Sequence, residues 1–71
     1  MTMFFVYILY SDSLSKYYVG HTDSLERRLN EHNTGQTIYT QKGKPWLLRY
    51  KEELHSRFEA MKLESKIKKE E

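Results

Sequence analysis

The sequence predicts an α+β domain: a three-stranded antiparallel sheet flanked by helices, in the order β-β-α-β-α. Three observations carry this. An apolar run from Phe4 to Tyr10 is followed, after a polar turn, by a second aromatic run from Lys16 to Gly20. Two later segments each open with a polar residue and a glutamate three positions on, then repeat apolar residues at helical spacing. Between them stands one β-prone run, Trp46 to Glu52, introduced by the single proline, Pro45.

Taken in order, Phe4 to Tyr10 mixes aromatic and β-branched residues on both faces, which predicts a central strand. Ser11 to Ser15 is polar and reads as a loop, and Lys16 to Gly20 is close enough to pair with the first strand as a hairpin. Asp23 is the expected cap of the first helix, with Glu26 completing a capping box. Leu25 and Leu29 supply its buried stripe, and Asn33 to Gly35 ends it. Gln36 to Pro45 shows no periodicity and is expected to be loop. Pro45 cannot donate to a sheet ladder, which suits the start of the strand from Trp46 to Glu52. Ser56-x-x-Glu59 is a second capping box, and the helix behind it, to about Lys69, sets Ala60, Leu63 and Ile67 along one face. Ile8, Leu25, Leu29 and Leu63 are the expected core. No repeat, low-complexity tract or linker divides the chain, so residues 1–71 are read as one domain.

Seventy-one residues bound the fold to one domain with a small core. The chain has no cysteine, which excludes disulfides and thiolate metal sites and fits a cytoplasmic location. Its longest apolar run, Met3 to Tyr10, is too short to cross a membrane and lacks the charged start of a signal peptide. Net charge is +2, unevenly placed: residues 1–40 carry three basic and four acidic side chains, residues 41–71 nine and six. The basic second half is compatible with phosphate binding.

Tyr7 and Tyr18 lie eleven residues apart on the two hairpin strands, close enough to share a face. A phenol titrates near 10, so it is a poor base at neutral pH unless a nearby cation favours the phenolate. Arg28 can be that cation. Leu25, Arg28, Leu29 and His32 are spaced i, i+3, i+4 and i+7, on one side of a helix. The leucines must face the sheet, which leaves Arg28 and His32 at the edge of the stripe, able to reach over the strands. Arg27 points about 100° round the helix, into solvent. Glu64 borders the apolar face of the last helix, as a surface ion-pair partner or as a ligand for magnesium, which needs few protein carboxylates. Lys62, Lys66 and Lys69 form a basic stripe, and His21, directly after Gly20, can approach the tyrosines. No His/Cys cluster argues for zinc, and no glycine-rich phosphate loop is present. On the residues alone a plainer alternative stays open: strand tyrosines and solvated helix charges with no shared task.

The ordered set Val6-Tyr7-Ile8, Tyr18-Val19-Gly20, Leu25-x-x-Arg28-x-x-x-His32 and Glu59-Ala60-x-x-x-Glu64 resembles the GIY-YIG nuclease domain. Valine stands for glycine in the first triplet and for isoleucine in the second. The resemblance spans nearly the whole chain and extends to the N-terminal nuclease domain of bacterial excision-repair endonucleases and to small stand-alone members. It implies hydrolysis of a DNA phosphodiester with one divalent cation, Mg2+ or Mn2+. By that resemblance Tyr7 is the general base, Arg28 stabilises transition-state charge, Glu64 holds the metal, and Tyr18 and His32 orient water or phosphate. Arg27, His21, Lys62, Lys66 and Lys69 are expected to contact nucleic acid. With no sequence-reading element visible, the expected cleavage is structure- or non-specific, in DNA repair, with a protein partner as a source of specificity. A catalytically silent nucleic-acid-binding or partner-docking module is the alternative. The nuclease reading expects Tyr7, Tyr18, Arg28, His32 and Glu64 to meet in one cleft.

Overall fold

A computed structural model of the chain describes residues 3–35 and 38–70, the side chains of residues 38–40 excepted. The elements are β1 (Phe4–Ser11), β2 (Lys16–Thr22), α1 (Leu25–Asn33), a 3-10 helix (Ile38–Gly43), β3 (Trp46–Leu54) and α2 (Arg57–Lys69). The strands form one antiparallel sheet in the order β2-β1-β3, so β1 is central, as its two apolar faces require. The 3-10 helix occupies part of the segment expected to be loop: its i+3 hydrogen bonding needs no hydrophobic periodicity. Gln36 and Thr37, also in that segment, lie outside the described residues.

Strand parity assigns the two helices to opposite faces of the sheet. Phe4, Val6 and Ile8 of β1, with Val19 of β2, point to the face covered by α2, where Ala60, Leu63 and Ile67 pack on them. Phe5, Tyr7, Leu9 and Ser11 point to the other face, toward α1. A bulge between Ile8 and Leu9 leaves Arg49 of β3 as the extra residue. It brings Trp46 and Leu48 onto the same face as Lys51, although their numbers differ in parity. Trp46 can therefore close over the α1 side of the sheet.

The caps show why α1 starts where it does. Its N-cap is Ser24, not Asp23, and Ser24 makes no side-chain cap bond. Instead the Thr22 hydroxyl accepts from the Ser24 N–H (3.1 Å) and donates to the Ser24 carbonyl (3.2 Å), while Asp23 is drawn into an ion pair with Arg27 (3.0 Å). Gly35, at φ +79°, supplies the left-handed residue that lets the chain leave α1. On α2 the expected cap is present: Ser56 Oγ accepts from the Glu59 N–H at 3.2 Å, and the Ser56 hydroxyl, in place of its backbone N–H, meets the Glu59 carboxylate at 3.2 Å.

The core differs from the expected one. Ile8, Leu25, Leu29 and Leu63 are only partly buried. The fully buried set is Val6, Tyr7, Leu9, Val19, Trp46 and Ala60, together with the polar Ser11, Thr22 and His32. The reason is size: α1 has nine residues, and Leu25 and Leu29 line an open groove with Phe5, Leu48 and Lys51 instead of a closed interior. Leu9→Ala is therefore expected to cost about 2–5 kcal/mol, and Leu29→Ala under about 2 kcal/mol. Urea melts of the two variants check the order, and an equal or larger loss at Leu29 would contradict it.

Candidate active site

Four of the five expected residues meet on the α1 face. Tyr7, 1% exposed, projects from the central strand toward β2 and lies against Gly20, its cross-strand partner. A Cβ at Gly20 would stand 2.6 Å from the Tyr7 hydroxyl and 2.9 Å from Cζ, so only glycine leaves the phenol where it is. Tyr18, two residues earlier on β2, places its ring 6.3 Å from the Tyr7 ring and edge-on to His32 at 4.9 Å. Trp46, from the other edge strand β3, stands edge-on to Tyr18 at 6.1 Å on the same face. Asn33, at the end of α1, fixes that tryptophan by both its amide atoms: Oδ1 accepts from the Trp46 N–H (2.5 Å) and Nδ2 donates to the Trp46 carbonyl (3.2 Å).

Around the Tyr7 hydroxyl the polar groups form a chain. Arg28 Nε donates to the phenol oxygen at 3.4 Å, and His32 Nε2 lies 3.3 Å away on the other side. Arg28 also hydrogen-bonds Tyr18 and extends Nη1 to Glu31 at 3.0 Å. The bond to Tyr7 and those to Glu31 and Tyr18 outweigh burial and hold Arg28 firmly protonated. Burial, reinforced by the Arg28 charge, pushes His32 below its ordinary value, so it is a neutral imidazole at pH 7. Its Nε2 can then accept from the phenol. Burial also raises the Tyr7 phenol, more than Arg28 lowers it. Arg28 thus favours the phenolate, as expected of a neighbouring cation, but desolvation outweighs it and Tyr7 stays a neutral phenol.

Two placements correct the expected cleft. His32 is not at the rim of the helix but fully buried, beneath the Tyr18 ring. Glu64 does not share the face of Tyr7, because α2 covers the opposite side of the sheet. It reaches the edge strand instead: Glu64 Oε1 accepts from His21 Nδ1 at 2.6 Å, and His21 adjoins Gly20, over which the Tyr7 phenol lies. The two groups flank the same stretch of β2, and the Glu64 charge acts on the Tyr7 hydroxyl. They are related across the β2 edge and do not share a cleft on one face.

Burial pushes the Glu64 carboxyl up, but the hydrogen bonds from Lys68 (Nζ to Oε2, 2.7 Å) and His21 outweigh it and hold the group ionised. Both carboxylate oxygens are thus engaged. Among the described residues no cluster of three or more His, Cys, Asp or Glu side chains forms a metal cage. A single hard carboxylate fits a magnesium-like cation that keeps most of its waters, and no tighter site.

The basic residues divide. Arg27 is exposed and engaged with Asp23 and Glu31. Lys62, Lys66 and Lys69 lie about 140–160° round α2 from Glu64. Lys68, which the sequence reading passed over, is the lysine beside Glu64; its i+4 spacing from that residue was the available signal. Gly20 and Asn33 were also legible only as a motif letter and a helix stop, since their roles depend on what lies across the sheet.

The perturbed groups set an acid sensitivity. His32 titrates lower folded than unfolded, so its contribution is complete above about pH 6.5 and is lost as pH falls. Glu64, also lowered, contributes above about pH 4.3 and loses it further down. Stability should decline from pH 7 to 5 and again below it. Denaturant melts giving equal stability at pH 7 and pH 5 would contradict the buried neutral imidazole.

A three-stranded β2-β1-β3 sheet with a helix on each face and a Tyr-Arg-His group on the α1 side make up a small α+β domain. The GIY-YIG catalytic domain matches residues 3–71, and the chain belongs to that family. It is 43% identical over 53 residues to a UPF0213 protein of Halobacterium salinarum, covering 73% of this chain and 69% of that protein. It is 44% identical over 52 residues to a UPF0213 protein of Streptococcus agalactiae, covering 72% of this chain and 59% of that one. No solved structure gives a significant match. No helix among the described residues is long and apolar enough to cross a membrane.

Proposed function

We propose that this domain hydrolyses DNA phosphodiesters, without sequence preference, at the β2 edge between Tyr7, Arg28 and Glu64. The observation that carries the reading is the hydrogen-bonded chain Arg28–Tyr7–His32, at 3.4 and 3.3 Å, with a cation at one end and a neutral imidazole at the other. A buried core phenol needs a single hydrogen-bond partner, and a backbone carbonyl would serve; it does not need a cation and an imidazole together.

In this reading Arg28, whose side chain is 34% exposed, takes the scissile phosphate and stabilises charge on its oxygens. Engaging the phosphate draws the guanidinium off Glu31 and uncovers the phenol. The Tyr7 oxygen then accepts a proton from the attacking water while its own proton passes to His32 Nε2, so no free phenolate need form first. The new P–O bond forms as the ester P–O bond opposite breaks, and the leaving oxygen takes a proton from solvent. Tyr18 holds the Arg28 side chain and roofs His32. Glu64 is the residue that would hold one Mg2+ or Mn2+, with water and substrate phosphate as remaining ligands. Such a cation polarises a phosphoryl oxygen and eases departure of the leaving group. The setting is cytoplasmic DNA repair, and a partner protein directs the domain to its target.

A second reading, a silent binding module, is favoured by one observation: His21 and Lys68 already take both oxygens of Glu64. Titrating Mn2+ into the protein with a short DNA present separates the two. The nuclease reading expects paramagnetic broadening centred on His21, Glu64 and Lys68 at up to millimolar metal, and none in Glu64→Ala. Resonances there that stay sharp would favour the module.

A further inference from the structure

The outer face of α2 carries an aromatic and three lysines that the edge site does not use. Ala60, Leu63 and Ile67 turn toward the sheet, so the opposite side of the helix faces solvent. There Phe58 is 70% and Met61 51% exposed. With Lys62, Ser65, Lys66 and Lys69 they line one shallow groove that no acidic side chain among the described residues enters, though Lys62 and Lys66 also border Glu52 and Glu59 on the side toward the sheet. The Lys62 ammonium stands 5.5 Å from the centre of the Phe58 ring. One exposed apolar side chain would be ordinary, but an exposed ring joined to a methionine and framed by cations is a surface with a definite chemistry.

We infer that this groove is a second nucleic-acid contact, holding an unpaired strand by phosphate charge and by stacking one base on Phe58. Charge complementarity names the occupant. Lys62 to Lys69 spans about 10.5 Å of helix. That length suits a short run of backbone phosphates, one ammonium to each. The ring beside the lysines offers the flat surface that a base stacks on and that an acidic peptide does not require. The inference rests on the reading that the domain acts on nucleic acid, but it concerns a different surface. The lysines lie about 140–160° round α2 from Glu64. A strand held there is therefore not the strand being cut, and the groove selects substrates that offer a single-stranded arm.

The test is binding in EDTA, where no cutting occurs, read by anisotropy of a dye-labelled thymidine oligonucleotide and of a duplex of equal length. Phe58→Ala is expected to weaken single-strand binding about five- to 150-fold, the worth of one stacked base, and to leave duplex binding within about twofold. The variant with Lys62→Ala, Lys66→Ala and Lys69→Ala should weaken both and flatten the single-strand salt dependence of log K by about two. All four side chains are exposed, and Phe58→Leu with Lys→Gln replacements repeats the test if an alanine variant melts early. Unchanged single-strand affinity in both variants overturns the inference, as does a wild type that binds no oligonucleotide. Equal competition by a glutamate polymer overturns it in favour of an acidic protein partner. Because this assay reads binding without metal, failure of the cleavage reading would leave its result standing. Binding that is lost only on Arg28→Ala would overturn the groove while keeping the nuclease.

Discussion

Replacing Tyr7 by phenylalanine is expected to lower cleavage about 10²- to 10⁴-fold, the usual worth of a positioned proton-transfer group, with little change in fold. The hydroxyl is the atom of Tyr7 that hydrogen-bonds Arg28 and His32; the ring keeps its packing against Gly20, Tyr18 and His32. Stability should fall modestly, because Arg28 Nε and His32 Nε2 each lose a partner. DNA affinity should hold, since Arg28 is still present. Tyr50→Phe is the control: Tyr50 is exposed on β3 and bonds only to Glu52 among the contacts described, away from the edge. Equal cleavage by wild type and Tyr7→Phe, on a substrate the wild type cuts, would show that another group activates water.

Gly20→Ala is expected to have an effect of similar size by a different route. The added methyl would meet the Tyr7 hydroxyl at 2.6 Å and the ring at 2.9 Å, so the phenol must swing away. That breaks the alignment of Arg28, Tyr7 and His32, and a displacement of about 1 Å at a reacting group can cost about 10²-fold in rate. The overpacking should also cost about 1–3 kcal/mol of stability. Measuring rate and melt together distinguishes this from Tyr7→Phe, in which the rate falls while the packing is preserved. Full activity in Gly20→Ala would mean that the hydroxyl's position is unimportant.

The element order was legible in the sequence because each element carries its own signal. The β1 run is apolar on both faces, the Ser56 box opens α2, and Pro45 and Gly35 punctuate the rest. The core was less legible. Periodicity named Leu25 and Leu29 correctly as the inward stripe of α1, but it carries no information on how much sheet a nine-residue helix covers. The cap of α1 moved by one residue because Thr22, at the end of β2, competes for the Ser24 backbone. At the site, the pairing of Tyr7, Arg28 and His32 follows from strand parity and helical spacing, both readable in advance. The approach of Glu64 round the β2 edge does not, since no local pattern states on which face a helix packs. Nor does the phenol's raised pKa follow, because it depends on burial beside residues of other elements, the Tyr18 ring of β2 and His32 of α1.

The most direct test of the nuclease reading is a cleavage assay on linear, nicked, branched and single-stranded DNAs with Mg2+ or Mn2+, run beside Glu64→Ala. The account predicts metal-dependent cutting of at least one of these by the wild type. EDTA should abolish it, and Glu64→Ala should reduce it at least about 10²-fold while still binding DNA. Cutting that persists undiminished in Glu64→Ala, or a wild type that binds these DNAs and cuts none of them, would contradict it.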